Sequence, residues 1–209
     1  MEVLAPLTAP LFVVASMPMS AGDILGFLTG VICVWLTARA NVWNFPTGIL
    51  NSLILGLVFL QQRLFADASL QIVFIVLSAM GWWEWLSRHH AQESSPVFAT
   101  SQREQVTLIA IAALTTLLLW QVLVWLKGAC PPVDALITAL SLCAQWQLNT
   151  RKLSNWAWWI AVDLISVPLY WYRGLPLIAG LYVAFLLICL KGWWHWRSLT
   201  QTRLAEVRA

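Results

Sequence analysis

Charge is scarce in this chain. Only 10% of its 209 residues are Asp, Glu, Lys or Arg, while 60% are hydrophobic and the mean hydropathy is +0.75. A soluble domain carries roughly 25% charged residues, so the shortage excludes an ordinary soluble fold and points to an integral membrane protein. Cysteine is sparse too. Cys33, Cys130, Cys143 and Cys189 form no CxxC pair and three of them lie inside apolar runs, which argues against disulfides or a metal site. P-loop, GxSxG and HExxH patterns are missing, and His89, His90 and His195 sit in the flanks of the apolar runs. An intramembrane hydrolase needs at least two buried groups acting as base and nucleophile, and a proton relay needs paired buried acids; the apolar runs offer neither. No basic n-region or small-residue cleavage site opens the chain, so a removed signal peptide is not expected.

What the chain has instead is apolar length. A spanning helix needs about 20 mostly apolar residues, and seven such runs are present at about 22–38, 42–61, 68–86, 106–126, 133–148, 156–172 and 176–196. The expected organisation is an all-α polytopic fold: an arm at 1–20, one transmembrane domain at 21–197 and a short cytoplasmic tail at 198–209. Pro6, Pro10 and Pro18 make the arm an interfacial or irregular segment rather than a span. The polar stretch 88–104 reads as a solvated loop between two halves. With the amino terminus outside, nine of the twelve Lys and Arg fall on the inner side and Arg63, Lys127 and Arg173 on the outer. The positive-inside rule therefore places the carboxyl terminus in the cytoplasm. Trp82, Trp83, Trp85, Trp193, Trp194 and Trp196 then anchor at the inner interface, with Glu84 reaching water.

Against this apolar background one carboxylate stands out. Asp163 lies eight residues into the sixth run, and Trp156, Trp159 and Asp163 follow an i, i+3, i+7 spacing that puts them on one helical face. An ionisable residue at mid-helix costs about 2.5–3.5 kcal/mol even on insertion scales and marks a functional site by default. Two aromatic planes beside an acid suit a flat organic cation. The alternative is a tryptophan belt with an aspartate satisfied by a neighbouring helix.

The chain also repeats itself. Gly81-Trp-Trp-Glu-Trp85 and Gly192-Trp-Trp-His-Trp196 match at an offset of 111, as do Phe74 and Phe185. At 112, Asn44 and Asn51 fall opposite Trp156 and Asp163; at 108, Gly26, Gly30, Cys33 and Thr37 fall opposite Asp134, Thr138, Ser141 and Gln145. Spans one to three (about 22–87) and five to seven (about 133–197) thus form two units joined by the fourth span (about 106–126). One intervening helix makes both units cross in the same sense, as parallel repeats, with a pocket expected between them near the bilayer midplane.

Polar residues mark the expected pocket. Asp134, Thr138, Ser141 and Gln145 recur at four, three and four residues, one line down the fifth span. Such a line can follow a substrate path or make interhelical hydrogen bonds worth about 0.6–2 kcal/mol each. Asn44, Gly48 and Asn51 form a second amide-bearing face, which a Pro46 packing kink would also explain. Gln71 and its repeat counterpart Tyr182 complete the ring.

Taken together these residues resemble the bacterial nicotinamide riboside transporter family (PnuC-type vitamin transporters) over about residues 22–197. The family pattern Trp-x-x-Trp-x-x-x-Asn/Asp appears as Trp156, Trp159 and Asp163. Asn44-Phe-Pro-Thr-Gly48, Ala66-Asp67, Leu70-Gln71, Gly81-Trp82, Ala144-Gln145, Asn155-Trp156 and the run from Val162 to Tyr170 support it. The resemblance implies a seven-helix fold related to the SWEET sugar transporters, homotrimers in the bacterial cytoplasmic membrane, and facilitated diffusion made one-way when a cytoplasmic kinase phosphorylates the vitamin. It makes Trp156, Trp159 and Asp163 substrate residues; Asn44, Asn51, Gln71, Thr138, Ser141, Gln145 and Tyr182 are added from helix faces and repeat symmetry. The expected partners are a small vitamin and the lipid bilayer, with no nucleic acid, metal or cofactor. Nicotinamide riboside, a cation, fits a tryptophan face through cation–π contact. Thiamine, another flat cation, is the alternative, and relatives in the wider family carry riboflavin or deoxynucleosides. A membrane enzyme or sensor is the remaining class.

Overall fold

The computed structural model describes residues 9–14, 17–61, 65–89, 97–126, 130–173 and 176–206. Arg63, Lys127 and the loop stretch 90–96 invoked above lie outside them. Among the described residues seven helices follow a short hairpin: α1 (Ala21–Ala38), α2 (Asn44–Gln61), α3 (Phe65–His89), α4 (Gln102–Trp125), α5 (Pro131–Asn149), α6 (Asn155–Tyr172) and α7 (Pro176–Glu206). Within the stretch expected as an interfacial or irregular arm, β1 (Pro10–Val14) pairs with β2 (Met17–Ser20) as the hairpin. Both strands of a two-stranded ribbon are edges, so Pro10 and Pro18 are tolerated there, and Phe12, Val13 and Val14 favour extended backbone. Ser20 ends β2 and caps α1 through a reciprocal box with Asp23, whose Oδ2 accepts from Ser20 N at 2.9 Å.

Residue contacts divide the chain into a first unit, Met1–Gln92, and a second, Glu93–Ala209. In the first, α1 packs on α2 and α2 on α3; in the second, α4 packs on α5, α5 on α6 and α6 on α7. Helix α4, expected as a connector between halves, thus belongs to the second unit. The core there joins Leu108 and Ala112 of α4, Cys143 and Ala144 of α5, and Trp158 of α6.

By length and composition α1, α2, α4 and most of α3 and α7 are able to cross a membrane. At 19 and 18 residues α5 and α6 are also long enough, at about 1.5 Å per residue. Helix α5 carries the polar line from Asp134 to Gln145, and α6 carries Asp163 among tryptophans and tyrosines. Helix α5 nevertheless buries Ala135, Ala139, Ser141, Cys143, Ala144 and Gln145. Small and polar residues inside, with Ile109, Leu114, Leu118 and Val124 of α4 exposed, is the arrangement of a helix bundle facing lipid.

The two units share local structure at a single offset of 111. The turn between α1 and α2 holds Ala40 at φ 51°, and the turn between α5 and α6 holds Arg151 at φ 55°. Asn41 N donates to Leu36 O at 3.0 Å, and Lys152 N donates to Gln147 O at 2.8 Å. Phe45 meets Trp85 edge-on at 5.1 Å and Trp156 meets Trp196 edge-on at 5.5 Å. Helices α2 and α6 are both 18 residues long and start 111 apart. This corrects the expected registers of 112 and 108: Asp163 corresponds to Ser52 rather than Asn51, Trp156 to Phe45 rather than Asn44, and Asp134 to Asp23 rather than Gly26. Like turns between α1 and α2 and between α5 and α6, each followed by an 18-residue helix, leave no insertion there to shift the register.

A left-handed conformation costs a non-glycine residue roughly 1–2 kcal/mol. Ala40→Gly is therefore expected to stabilise the protein by about 1 kcal/mol after glycine's own entropy cost, read as a raised melting midpoint in detergent; an unchanged or lowered midpoint means the turn is not strained.

Candidate functional site

Helix α6 is held from its start. Phe98 N donates to Arg151 O at 2.9 Å and Leu153 N to Phe98 O at 3.0 Å, so the segment before α4 forms a bridge along the α5–α6 turn. Lys152 pairs with Glu104 of α4 at 3.0 Å. Ser154 Oγ donates to Gln147 Oε1 and shares a hydrogen bond with the Thr100 hydroxyl. Beyond the turn, Trp158 Nε1 donates to Gln105 Oε1 at 3.3 Å and seats this side of α6 on α4.

Of the tryptophan–aspartate motif, Trp156 and Asp163 lie on the other side of α6, against α7, and Trp159 does not share their surroundings. Trp156 is fully buried, edge-on to Trp196 of α7 and pressed against Gly192. Trp159 is half-buried and packs against the α4–α5–α6 core. The pair of open stacked planes expected from spacing is therefore one anchored ring and one partly accessible ring. Asp163 is 2% exposed. Its carboxyl is in hydrogen-bond contact with the Cys189 thiol of α7, while its Oδ2 has no hydrogen-bond partner among the described residues. A buried acceptor left unmatched costs about 1–3 kcal/mol, and each such group in a folded protein asks for an explanation.

The other expected site residues fall in two groups. On α5, Thr138 is half-buried, Ser141 and Gln145 are buried, and Gln145 Nε2 donates to Asn149 Oδ1 at 3.1 Å. Asp134, the head of the expected polar line, is instead paired with Arg173 at 3.1 Å, tying the start of α5 to the end of α6. Tyr182 of α7 stacks on Tyr170 of α6 at 5.2 Å and faces Ser166. These residues lie on α5 and α7, the helices that pack against α6, and at the end of α6 itself.

In the first unit, Asn51 Nδ2 donates to Gly26 O at 2.6 Å and to Thr29 Oγ1 at 2.9 Å, joining α2 to α1. Asn44, expected as a ligand, closes a turn: its Nδ2 donates to Asn41 O at 2.7 Å, and Asn155 Nδ2 donates to Lys152 O at 2.6 Å in the same way. Gln71 is half-buried beside Gly56. None of the ten expected residues lines the apolar groove of about 440 Å³ formed by Ile109, Leu117, Leu140 and Trp158 with their neighbours.

Sequence reasoning missed Ser166, Tyr170 and Cys189. The first two were within reach, since they continue the series of Trp156, Trp159 and Asp163 at i+10 and i+14, within about 80° of arc. Cys189 left no signal, because nothing in a lone cysteine of an apolar run reports its neighbour on another helix.

Residues 20–198 match the family described as Nicotinamide mononucleotide transporter. The nicotinamide riboside transporter PnuC of Escherichia coli is 24% identical over 87% of this chain and 87% of its own. Its namesake from Haemophilus influenzae is 24% identical over 83% of this chain and 78% of its own. The riboflavin/roseoflavin transporter RibM of Streptomyces davaonensis is 29% identical over 82% of this chain and 84% of its own. The crystal structure of the vitamin B3 transporter PnuC superposes with a TM-score of 0.69 at 22% identity, over 85% of this chain and 81% of that one, which shows that the fold is shared.

Proposed function

This chain belongs to the nicotinamide mononucleotide transporter family, and on that premise we propose that it carries nicotinamide riboside across the bacterial cytoplasmic membrane by facilitated diffusion. The observation that carries the reading is the buried carboxyl of Asp163, with Oδ2 unmatched, on the tryptophan face of α6. A cationic pyridinium with sugar hydroxyls offers such a group both charge and donors. A mononucleotide adds a phosphate, which a carboxylate repels, so the riboside is the better fit. Phosphorylation inside the cell then makes uptake one-way. The nine-to-three distribution of Lys and Arg supports an outside amino terminus and a cytoplasmic carboxyl terminus. The functional form is a homotrimer.

Two other ligands have arguments of their own. Thiamine is a flat cation, and riboflavin is in the name of the relative with 29% identity. Uptake into proteoliposomes separates the three: nicotinamide riboside equilibrates unchanged and faster than thiamine, riboflavin or the mononucleotide, and a faster competitor would displace the reading. Trp159→Ala is expected to weaken nicotinamide riboside binding by about 2- to 30-fold in calorimetry, the range of a cation–π contact worth about 0.5–2 kcal/mol. An unchanged affinity would remove Trp159 from the site.

A further inference from the structure

A buried polar seam runs where α6 meets α7, and the substrate reading uses only one of its members. On α6, Asp163 Oδ2 and the fully buried Ser166 Oγ have no hydrogen-bond partner of standard geometry among the described residues. On α7, Cys189 is 3% exposed and touches the Asp163 carboxyl, and Tyr182 faces Ser166 while stacking on Tyr170. The corresponding residues of the first unit, 111 positions earlier, are Ser52 for Asp163 and Ser78 for Cys189, both buried. One unit thus places two hydroxyls where the other places an acid and a thiol.

We propose that Cys189 is a positioning residue for Asp163: its S–H donates a weak hydrogen bond to one carboxyl oxygen and so presents the other, Oδ2, to the substrate. A thiol is a weak donor. It orients the carboxyl without matching its acceptor capacity, and the second oxygen is left for a ligand. A strong donor there would compete with the ligand for the carboxylate. With no donor there, the carboxyl is free to turn, and part of the binding energy goes into fixing its orientation. The seam lies inside a helix pair, so orientation set on α7 is transmitted directly to the motif on α6.

The proposal rests on Asp163 being a substrate ligand, so its test includes a measurement that needs no ligand. In the purified full-length protein, the infrared S–H stretching band that disappears in Cys189→Ala is expected to move to higher frequency in Asp163→Leu, because the thiol loses its acceptor. A band that stays in place overturns the proposal. In calorimetry, Cys189→Ala is expected to weaken nicotinamide riboside binding about tenfold, and Cys189→Ser to recover only part of this, staying about threefold weaker than the wild type because the stronger hydroxyl donor competes with the ligand. In an Asp163→Asn background the same Cys189→Ala change is expected to alter Kd less than about twofold, since coupled residues are not additive. An equal loss in both backgrounds identifies Cys189 as packing only and overturns the proposal, as does an unchanged Kd in Cys189→Ala. Should the wild type fail to bind nicotinamide riboside while the band shifts, the substrate reading falls and the Cys189–Asp163 contact stands.

Discussion

Asp163→Ala is expected to weaken nicotinamide riboside binding by about 100-fold or more, equivalent to about 2.8 kcal/mol at 1.4 kcal/mol per tenfold, and to reduce uptake at limiting substrate in proportion. Hydrogen bonds to a charged group contribute about 1.5–3 kcal/mol each. The burial of Asp163, at 2% exposed, keeps water from substituting for a ligand on the unmatched oxygen. Asp163→Asn is expected to lose much less, because the amide keeps an acceptor at the same place and the family pattern admits either residue. Calorimetry on the two variants decides the matter. Wild-type affinity in Asp163→Ala would mean that the carboxyl serves packing between α6 and α7 and that the substrate binds elsewhere.

The second large effect comes from the smallest side chain at the site. A Cβ built on Gly192 would lie 2.5 Å from Cη2 and Cζ2 of Trp156 and 2.9 Å from its Cε2. The ring cannot retreat, since Trp156 and Trp196 are both fully buried and meet edge-on. Overpacking of this kind costs about 1–3 kcal/mol, and the damage is transmitted to the motif because Trp156 opens the face that carries Asp163. Gly192→Ala is therefore expected to lower the melting midpoint in detergent and to weaken binding together. A smaller ring is the remedy, and the first unit holds one at the place of Trp156: Phe45, packed edge-on to Trp85 at 5.1 Å. Trp156→Phe added to Gly192→Ala should recover much of the lost stability. A Gly192→Ala variant that melts like the wild type would show that α7 shifts to accept the methyl group and that the contact does not set the position of Trp156.

Much of the fold was legible from apolar runs alone. Among the described residues the seven expected spans fall on seven helices with boundaries off by a few residues, apart from the end of α7, which runs further. The repeat and its offset of 111 were legible in the glycine–tryptophan motif, but that offset did not carry over to the alignment of the other spans. Aligning Asn51 with Asp163 matched side chains that look alike, whereas the register is set by turn geometry at Ala40 and Arg151, neither of them the glycine that would announce a positive φ. Asn44 is ambiguous for a related reason. An amide near a helix start in a membrane protein reads equally as ligand or as turn closure, and only the folded chain shows the hydrogen bond to Asn41 O that closes the turn.

For Asp163 the division is clear. Sequence by itself determined that a carboxylate lies in an apolar helix on one face with Trp156 and Trp159, because helical periodicity is a property of local backbone and needs no partner. Tertiary structure alone decided what that face meets. It set one tryptophan against Gly192 and the other toward the α4–α5 core, engaged Asn51 and Asp134 elsewhere, and brought Cys189, 26 residues along the chain, to the carboxyl. Contacts between helices depend on how each is rotated and packed against its neighbours, and that rotation is fixed by the sum of many small side-chain fits rather than by any stretch of sequence.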